Sequence, residues 1–318
     1  MARALVRRAD VVAAAGGAAV AGLAAWALWV EPRRVVARRV TLDLPGWPAR
    51  WDGFRVALIS DLHAGAAHAG LDRVDRVVEL ANGLRPDLVA LVGDFVDDAS
   101  TLGAEMPAEA VAARLGRLRA PLGSVAVLGN HDWSVDGERV GGALRDAGIR
   151  VLENEAVALH PDLWVAGLAD PYHRVVDVHA ALAAVPHDAA TLLLSHDPDL
   201  FPRVPDRVAL TLSGHTHGGQ VALPRARARW TPSRFGERYA AGHVVEDGRH
   251  LFVSRGIGTS RMPVRLGAPP EVVLLELRPA GRGARAASRP GRRGRSRPGR
   301  TASRGTGSPT SAPRRSSA

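Results

Sequence analysis

Short, nearly unbroken apolar runs recur along the chain and alternate with stretches of helical period. Val56–Ile59, Leu88–Val92, Ser124–Leu128, Leu163–Ala166 and Thr191–Leu194 have the length and continuity of strands buried on both faces. Between them, Leu71–Leu84 repeats at helical spacing. Val74, Val77, Val78 and Leu80 face a core, and Arg73, Asp75 and Arg76 face mostly outward. Further helices are predicted over Ala108–Leu118, over Glu138–Ala147 with Gly148 as its C-cap, and near Val178–Ala184. After Gly219 the pattern turns to strands at Val221–Leu223, Leu251–Val253 and Val272–Leu277. Strands alternating with helices, then mostly strands, predict an α/β domain of two packed sheets with helices outside.

One run is too long for this scheme. Residues 11–30 contain no charge, and twenty residues of helix rise about 30 Å, enough to cross a bilayer. Arg3, Arg7 and Arg8 precede the run, and Glu31-Pro32-Arg33-Arg34 closes it. It reads as a signal-anchor or an export signal rather than a buried core helix. Arg7-Arg8 resembles a degenerate twin-arginine signal, with Asp10 where an apolar residue is usual. Ala25-Trp26-Ala27 mimics a cleavage site, yet apolar residues continue to Val30, so an uncleaved anchor is expected. Arginines flank both ends and leave the topology open. The expected localisation is the cell membrane, with the folded domain on the outer face. About ten to twenty residues then link the bilayer to the first buried strand.

Composition refines this picture in two places. The chain of 318 residues has no cysteine, which excludes disulfides, a thiolate nucleophile and sulfur metal ligands. All of its 42 basic residues are arginine, and eleven lie in Pro279–Ala318, which has no acidic residue. The remainder carries 31 basic against 32 acidic residues, so the formal charge of +10 belongs to the tail. A strongly basic nucleic-acid-binding fold is thereby excluded for the body of the chain. The tail is Arg, Gly, Ser and Pro, and is expected to be disordered. The expected organisation is an anchor or export signal over 1–40, a folded domain over 41–278 and the tail over 279–318.

The candidate chemistry sits where the strands end. Five apolar runs finish alike: in Asp61-Leu62-His63, in Gly93-Asp94, in Gly129-Asn130-His131-Asp132, in Ser195-His196 and in Gly214-His215-Thr216-His217. Taken singly, each has an ordinary explanation: an aspartate as a helix N-cap, an asparagine in a turn, a histidine satisfied in a core. Together they bring oxygen and nitrogen donors to the carboxyl ends of strands, where open α/β sheets bind ligands. His215 and His217 would hold one ion jointly or two adjacent ions separately. The donor set suits Mn²⁺, Fe or Zn²⁺ better than copper or an iron–sulfur cluster.

In this order, DLH, GD, GNHD, SH and GHTH resemble the calcineurin-like metallophosphoesterases over roughly residues 50–278. Ser254–Ser260, Pro263-Val264-Arg265 and Pro270-Glu271-Val272 are similar to the small bacterial membrane-associated branch. The resemblance implies a four-layer α/β/β/α sandwich of two packed sheets, preceded here by a transmembrane helix. It implies two divalent ions, Mn²⁺ first, with Fe, Zn²⁺ or Mg²⁺ as alternatives. One would be held by Asp61, His63, Asp94 and His217, the other by Asp94, Asn130, His196 and His215, with Asp94 bridging. His131 would stand near the leaving group, oriented by Asp132. The implied reaction is hydrolysis of a phosphodiester or pyrophosphate bond without a covalent intermediate. The anchor favours a lipid-linked or cell-envelope substrate. The alternative is a tethered protein with structural metals, whose arginine tail binds anionic lipid or nucleic acid.

Overall fold

Strands that are apolar on both faces need a covering layer on each side, and the computed structural model of the chain supplies both. It describes residues 2–98, 103–222 and 231–281. The arginine-rich tail beyond Gly281, and Leu223 of the run expected at Val221–Leu223, lie outside the described residues. The strands are β1 (Val36–Leu44), β2 (Phe54–Ile59), β3 (Leu88–Val92), β4 (Ser124–Val127), β5 (Arg150–Val151), β6 (Glu155–His160), β7 (Leu163–Gly167), β8 (Ala190–Leu194), β9 (Leu210–Ser213), β10 (Gly242–Glu246), β11 (Arg249–Val253) and β12 (Glu271–Pro279). The α-helices are α1 (Ala2–Ala25), α2 (Leu71–Leu84), α3 (Ala108–Leu115), α4 (Asn130–Asp146) and α5 (Val178–Leu182).

One sheet has the order β1-β12-β2-β3-β4-β5 and the other β10-β11-β9-β8-β7-β6. β2 through β5 run parallel, and so do β7, β8, β9 and β11. Side chains alternate across each strand. Val56, Leu58 and Val92 therefore meet Leu192, Leu194 and Leu212 between the sheets. Ala57, Ile59, Val89 and Leu91 turn the other way, onto Val74, Val77 and Val78 of α2 and Val111 and Leu115 of α3. Leu193, Leu251 and Val253 pack with Ala181 and Leu182 of α5 and with Leu200 and Phe201. The result is the expected α/β/β/α sandwich.

Two elements differ from the sequence pattern. β1 carries Arg38 and Arg39 at the sheet edge, alternates in burial along its length, and pairs in parallel with β12, from Val36↔Glu271 to Leu44↔Pro279. It spans the 40/41 boundary. Helix α4 begins at Asn130, eight residues before its apolar period, and bends at Asp136. Its polar head, Asn130-His131-Asp132, conceals the start of the helix from a reading based on hydrophobic spacing.

The apolar N-terminal helix, with a candidate span of Val12–Arg33, is exposed along its length: Val12, Val20 and Leu23 face outward. Only its foot packs. Ala27 is buried and its carbonyl accepts the N–H of Arg265 at 3.0 Å. Glu31 accepts the Ala268 N–H at 2.9 Å and the Trp26 indole N–H at 2.9 Å. The foot is thus seated on the domain ahead of β1.

Candidate metal centre

The carboxyl ends of β2, β3, β4, β8 and β9 open on one crevice, and the loops there are drawn unusually close. Gly93 has a φ of +77°, and a Cβ on it would stand 2.6 Å from both the Gly129 nitrogen and His196 Nδ1. A Cβ on Gly129 would lie 2.2 Å from Asp94 Oδ1. These contacts explain the glycines that precede Asp94 and Asn130. Asp61, His63, Asp94, His215 and His217 all have positive φ, between 44° and 69°. Left-handed backbone at a non-glycine residue costs about 1–3 kcal/mol, and such strain collects at functional sites.

Among the described residues the loops assemble three groups of possible metal donors: His63, Asp97 and His131 form one, and the other two hold the predicted ligands. In one of those two clusters, Asp61, His63 and His217 converge, with His63 Nε2 3.1 Å from His217 Nε2 and His217 Nε2 3.6 Å from Asp61 Oδ1. In the other, Asp94, His196 and His215 converge, with His196 Nε2 3.2 Å from both His215 Nδ1 and Asp94 Oδ2. Asp94 Oδ2 also lies 3.4 Å from His63 Nε2, so one oxygen stands between the clusters. Asn130 joins Asp94, His215 and His217 in lining a cavity of about 100 Å³. Asn130 Oδ1 and Asp61 Oδ2 are buried without a hydrogen-bond partner among the described residues. All seven candidate donors are therefore in one place.

The electrostatics fit a cation. Asp61, Asp94, Asp97 and Asp132 are all at most 2% exposed, and burying that many carboxylates is costly unless positive charge accompanies them. Burial raises Asp61 above its ordinary value. Asp94 is held well below its own, because His196, His63 and His131 outweigh burial. Burial pushes His215 down to about 3, helped by the charge of His196, and lowers His217 as well. Both rings are thus neutral, the form that binds metals. His196 Nδ1 faces the Val92 carbonyl at 2.8 Å, which leaves Nε2 pointing into the cluster. The Tyr172 hydroxyl, 3.2 Å from His215 Nε2, likewise leaves Nδ1 for the cluster.

The family model described as calcineurin-like phosphoesterase matches residues 54–244, from the start of β2 into β10. That span contains both clusters. The chain belongs to this family. Its members are phosphoric ester hydrolases. The uncharacterized metallophosphoesterase YkuE of Bacillus subtilis (strain 168) is 31% identical over 83% of this chain and 93% of its own length. Phosphodiesterase YaeI of Escherichia coli (strain K12) is 31% identical over 70% of this chain and 82% of its own. UDP-2,3-diacylglucosamine pyrophosphatase LpxG of Chlamydia trachomatis is 26% identical over 79% of this chain and 91% of its own.

In this phosphoesterase Asp132 does not orient His131. As the third residue of α4 it turns back to the helix start. Its carboxylate accepts the N–H groups of Gly129 at 2.9 Å, Asp94 at 2.8 Å, Phe95 at 2.7 Å and Val96 at 3.2 Å. It holds the backbone that carries Asp94. His131 Nδ1 instead lies 3.0 Å from Asp98 Oδ1, and Asp97 stands 3.3 Å from His63 Nδ1. The run Asp94-Phe95-Val96-Asp97-Asp98 carried a signal for both, as acids following a ligand position on one loop. Tyr172 carried none. The Asp132→Asn variant should lose about 2–4 kcal/mol of stability, because an amide cannot accept all four N–H groups and turns donors toward some of them. Calorimetry showing an unchanged Tm would contradict this role.

Proposed function

We propose that this phosphoesterase hydrolyses phosphodiester or pyrophosphate bonds of a substrate carried by the membrane or cell envelope, with its catalytic domain on the outer face. In this reading Asp61, His63, Asp94 and His217 hold one divalent ion, and Asp94, Asn130, His196 and His215 hold the second, manganese in both positions. The observation that carries it is the Asp94 oxygen 3.2 Å from His196 and 3.4 Å from His63, where a single carboxylate can serve both clusters. Two such ions, when bound, activate water at neutral pH and neutralise charge gathering on the phosphoryl oxygens.

The chain's own groups do the rest. His131 borders the same cavity and donates a proton from Nε2 to the leaving oxygen, with the Asp98 carboxylate 3.0 Å from its Nδ1. Arg261, Gln220 and Ser260 line the cavity and position the phosphoryl group. Arg265 connects this site to the anchor. Its backbone N–H reaches the Ala27 carbonyl, and its guanidinium lies 3.4 Å from His217 Nδ1. A site this near the helix foot favours substrates that share the bilayer. The names of YaeI and LpxG, a phosphodiesterase and a pyrophosphatase of a diacylated sugar nucleotide, support the same bond types.

The test is a hydrolysis panel on the manganese-loaded full chain in mixed micelles. Lipid-linked diesters and pyrophosphates should exceed soluble diesters, cyclic nucleotides and monoesters by at least about tenfold in kcat/KM, a difference of about 1.4 kcal/mol. Cyclic nucleotides ahead by a hundredfold would overturn the membrane substrate.

A further inference from the structure

A second cavity, of about 590 Å³, lies at the foot of the anchor. It shares no lining residue with the metal cavity. Its charged lining is Arg33, Arg73 and Arg76 with His68, against a single carboxylate, Asp72. The helical period placed Arg73 outward; instead it is buried, with Nη1 2.5 Å from the Pro32 carbonyl and 3.5 Å from that of Ile257. Among the described residues it has no carboxylate ion pair. His68 Nε2 stands 2.9 Å from the Leu28 carbonyl. Arg33 Nη1 donates to the Trp29 carbonyl at 2.7 Å. The anchor's final turns thus form one wall of the cavity and α2 another.

The charges inside this cavity oppose one another. Burial lowers Arg73 to about 10, with Arg33 adding to the shift and Asp72 resisting it. Partial burial, then the charges of Arg33 and Arg73, push the His68 imidazole below its ordinary range. A group of like charges held together with one exposed carboxylate calls for an anion. Gly65, Ala66, Ala69 and Gly70, with Val35, Ala104 and Met106, line the rest of the wall. The depth follows from the helix. Trp26, Trp29 and Val30 are exposed beside the cavity, and tryptophan marks the boundary between bilayer and water.

We propose that this cavity binds the phosphate of an anionic bilayer lipid, held by Arg33, Arg73 and Arg76 at the foot of the anchor. The proposal rests on the anchor reading and is separate from hydrolysis. Its volume falls within the range that holds small ligands. Arginine suits phosphate because its guanidinium donates two parallel hydrogen bonds. A lipid seated here would join the domain to the leaflet at a second point beside the helix, and so would fix the tilt of the domain.

The test is calorimetric titration of the full chain in neutral detergent with dioctanoyl phosphatidylglycerol. Dioctanoyl phosphatidylcholine and inorganic phosphate are the comparison arms. Phosphatidylglycerol should bind saturably and at least about tenfold more tightly than either. Arg33→Gln and Arg76→Gln change exposed side chains, so both variants should fold, and each should weaken that binding about fivefold to tenfold. Equal affinity for the zwitterionic lipid would overturn the proposal. So would wild-type affinity in both variants. Inorganic phosphate binding as tightly as phosphatidylglycerol would make this a site for a free anion and would overturn the lipid assignment.

Discussion

An Asp94→Asn variant should lose both metal ions and at least about a thousandfold in turnover, because stabilisation by metal ions supplies several kcal/mol of the barrier reduction. Among the described residues, Asp94 is the side chain that stands between the two clusters. Its Oδ2 lies 3.2 Å from His196 Nε2 and 3.4 Å from His63 Nε2, and its Oδ1 accepts the His131 N–H at 2.9 Å. An amide carries no charge and presents one oxygen in place of two. It would leave His196 and His63 buried without the carboxylate that now faces them. Elemental analysis after reconstitution with manganese would check the first half of the expectation, and turnover of a small diester the second. Two ions retained in a folded Asp94→Asn protein would remove this residue from its bridging role.

The His131→Ala variant should separate the two readouts. Loss of a general acid lowers turnover about 10²–10⁴-fold, while metal content should stay at the wild-type level, because His131 lies in neither proposed ligand set. Asp98→Asn should behave as a weaker version. It keeps the shape but removes the charge 3.0 Å from His131 Nδ1, so kcat should fall with KM little changed. A His131→Ala protein with full activity would remove His131 from the general-acid role.

Much of this arrangement was legible before the structure, for a physical reason. A strand buried on both faces writes itself as an unbroken apolar run, and a ligand loop begins where such a run stops. Val56–Ile59 followed by Asp61, and Leu88–Val92 followed by Asp94, are visible on that ground alone. β1 was not, because an edge strand with Arg38 and Arg39 on it looks like the polar flank of the preceding helix. The burial of Arg73 was hidden too, since helical period reports only which way a side chain starts, and it is the foot of the anchor that covers this one. On sequence alone, His131 has only Asp132 as a partner. The backward tilt of a residue in the first turn of α4 instead turns Asp132 to the backbone of Gly129 and Asp94–Val96.

The parallel pairing of β1 with β12 has a mechanical consequence. The anchor joins the domain at the start of β1, and the chain leaves it at the end of β12. A force applied between the start of β1 and the end of β12 acts at Val36 and at Pro279, the opposite ends of two neighbouring parallel strands. The strands are loaded in shear. All nine register pairs from Val36↔Glu271 to Leu44↔Pro279 share the load at once, rather than opening one after another. Pulling apart Val36 and Pro279 would meet its greatest resistance at this edge of the sheet.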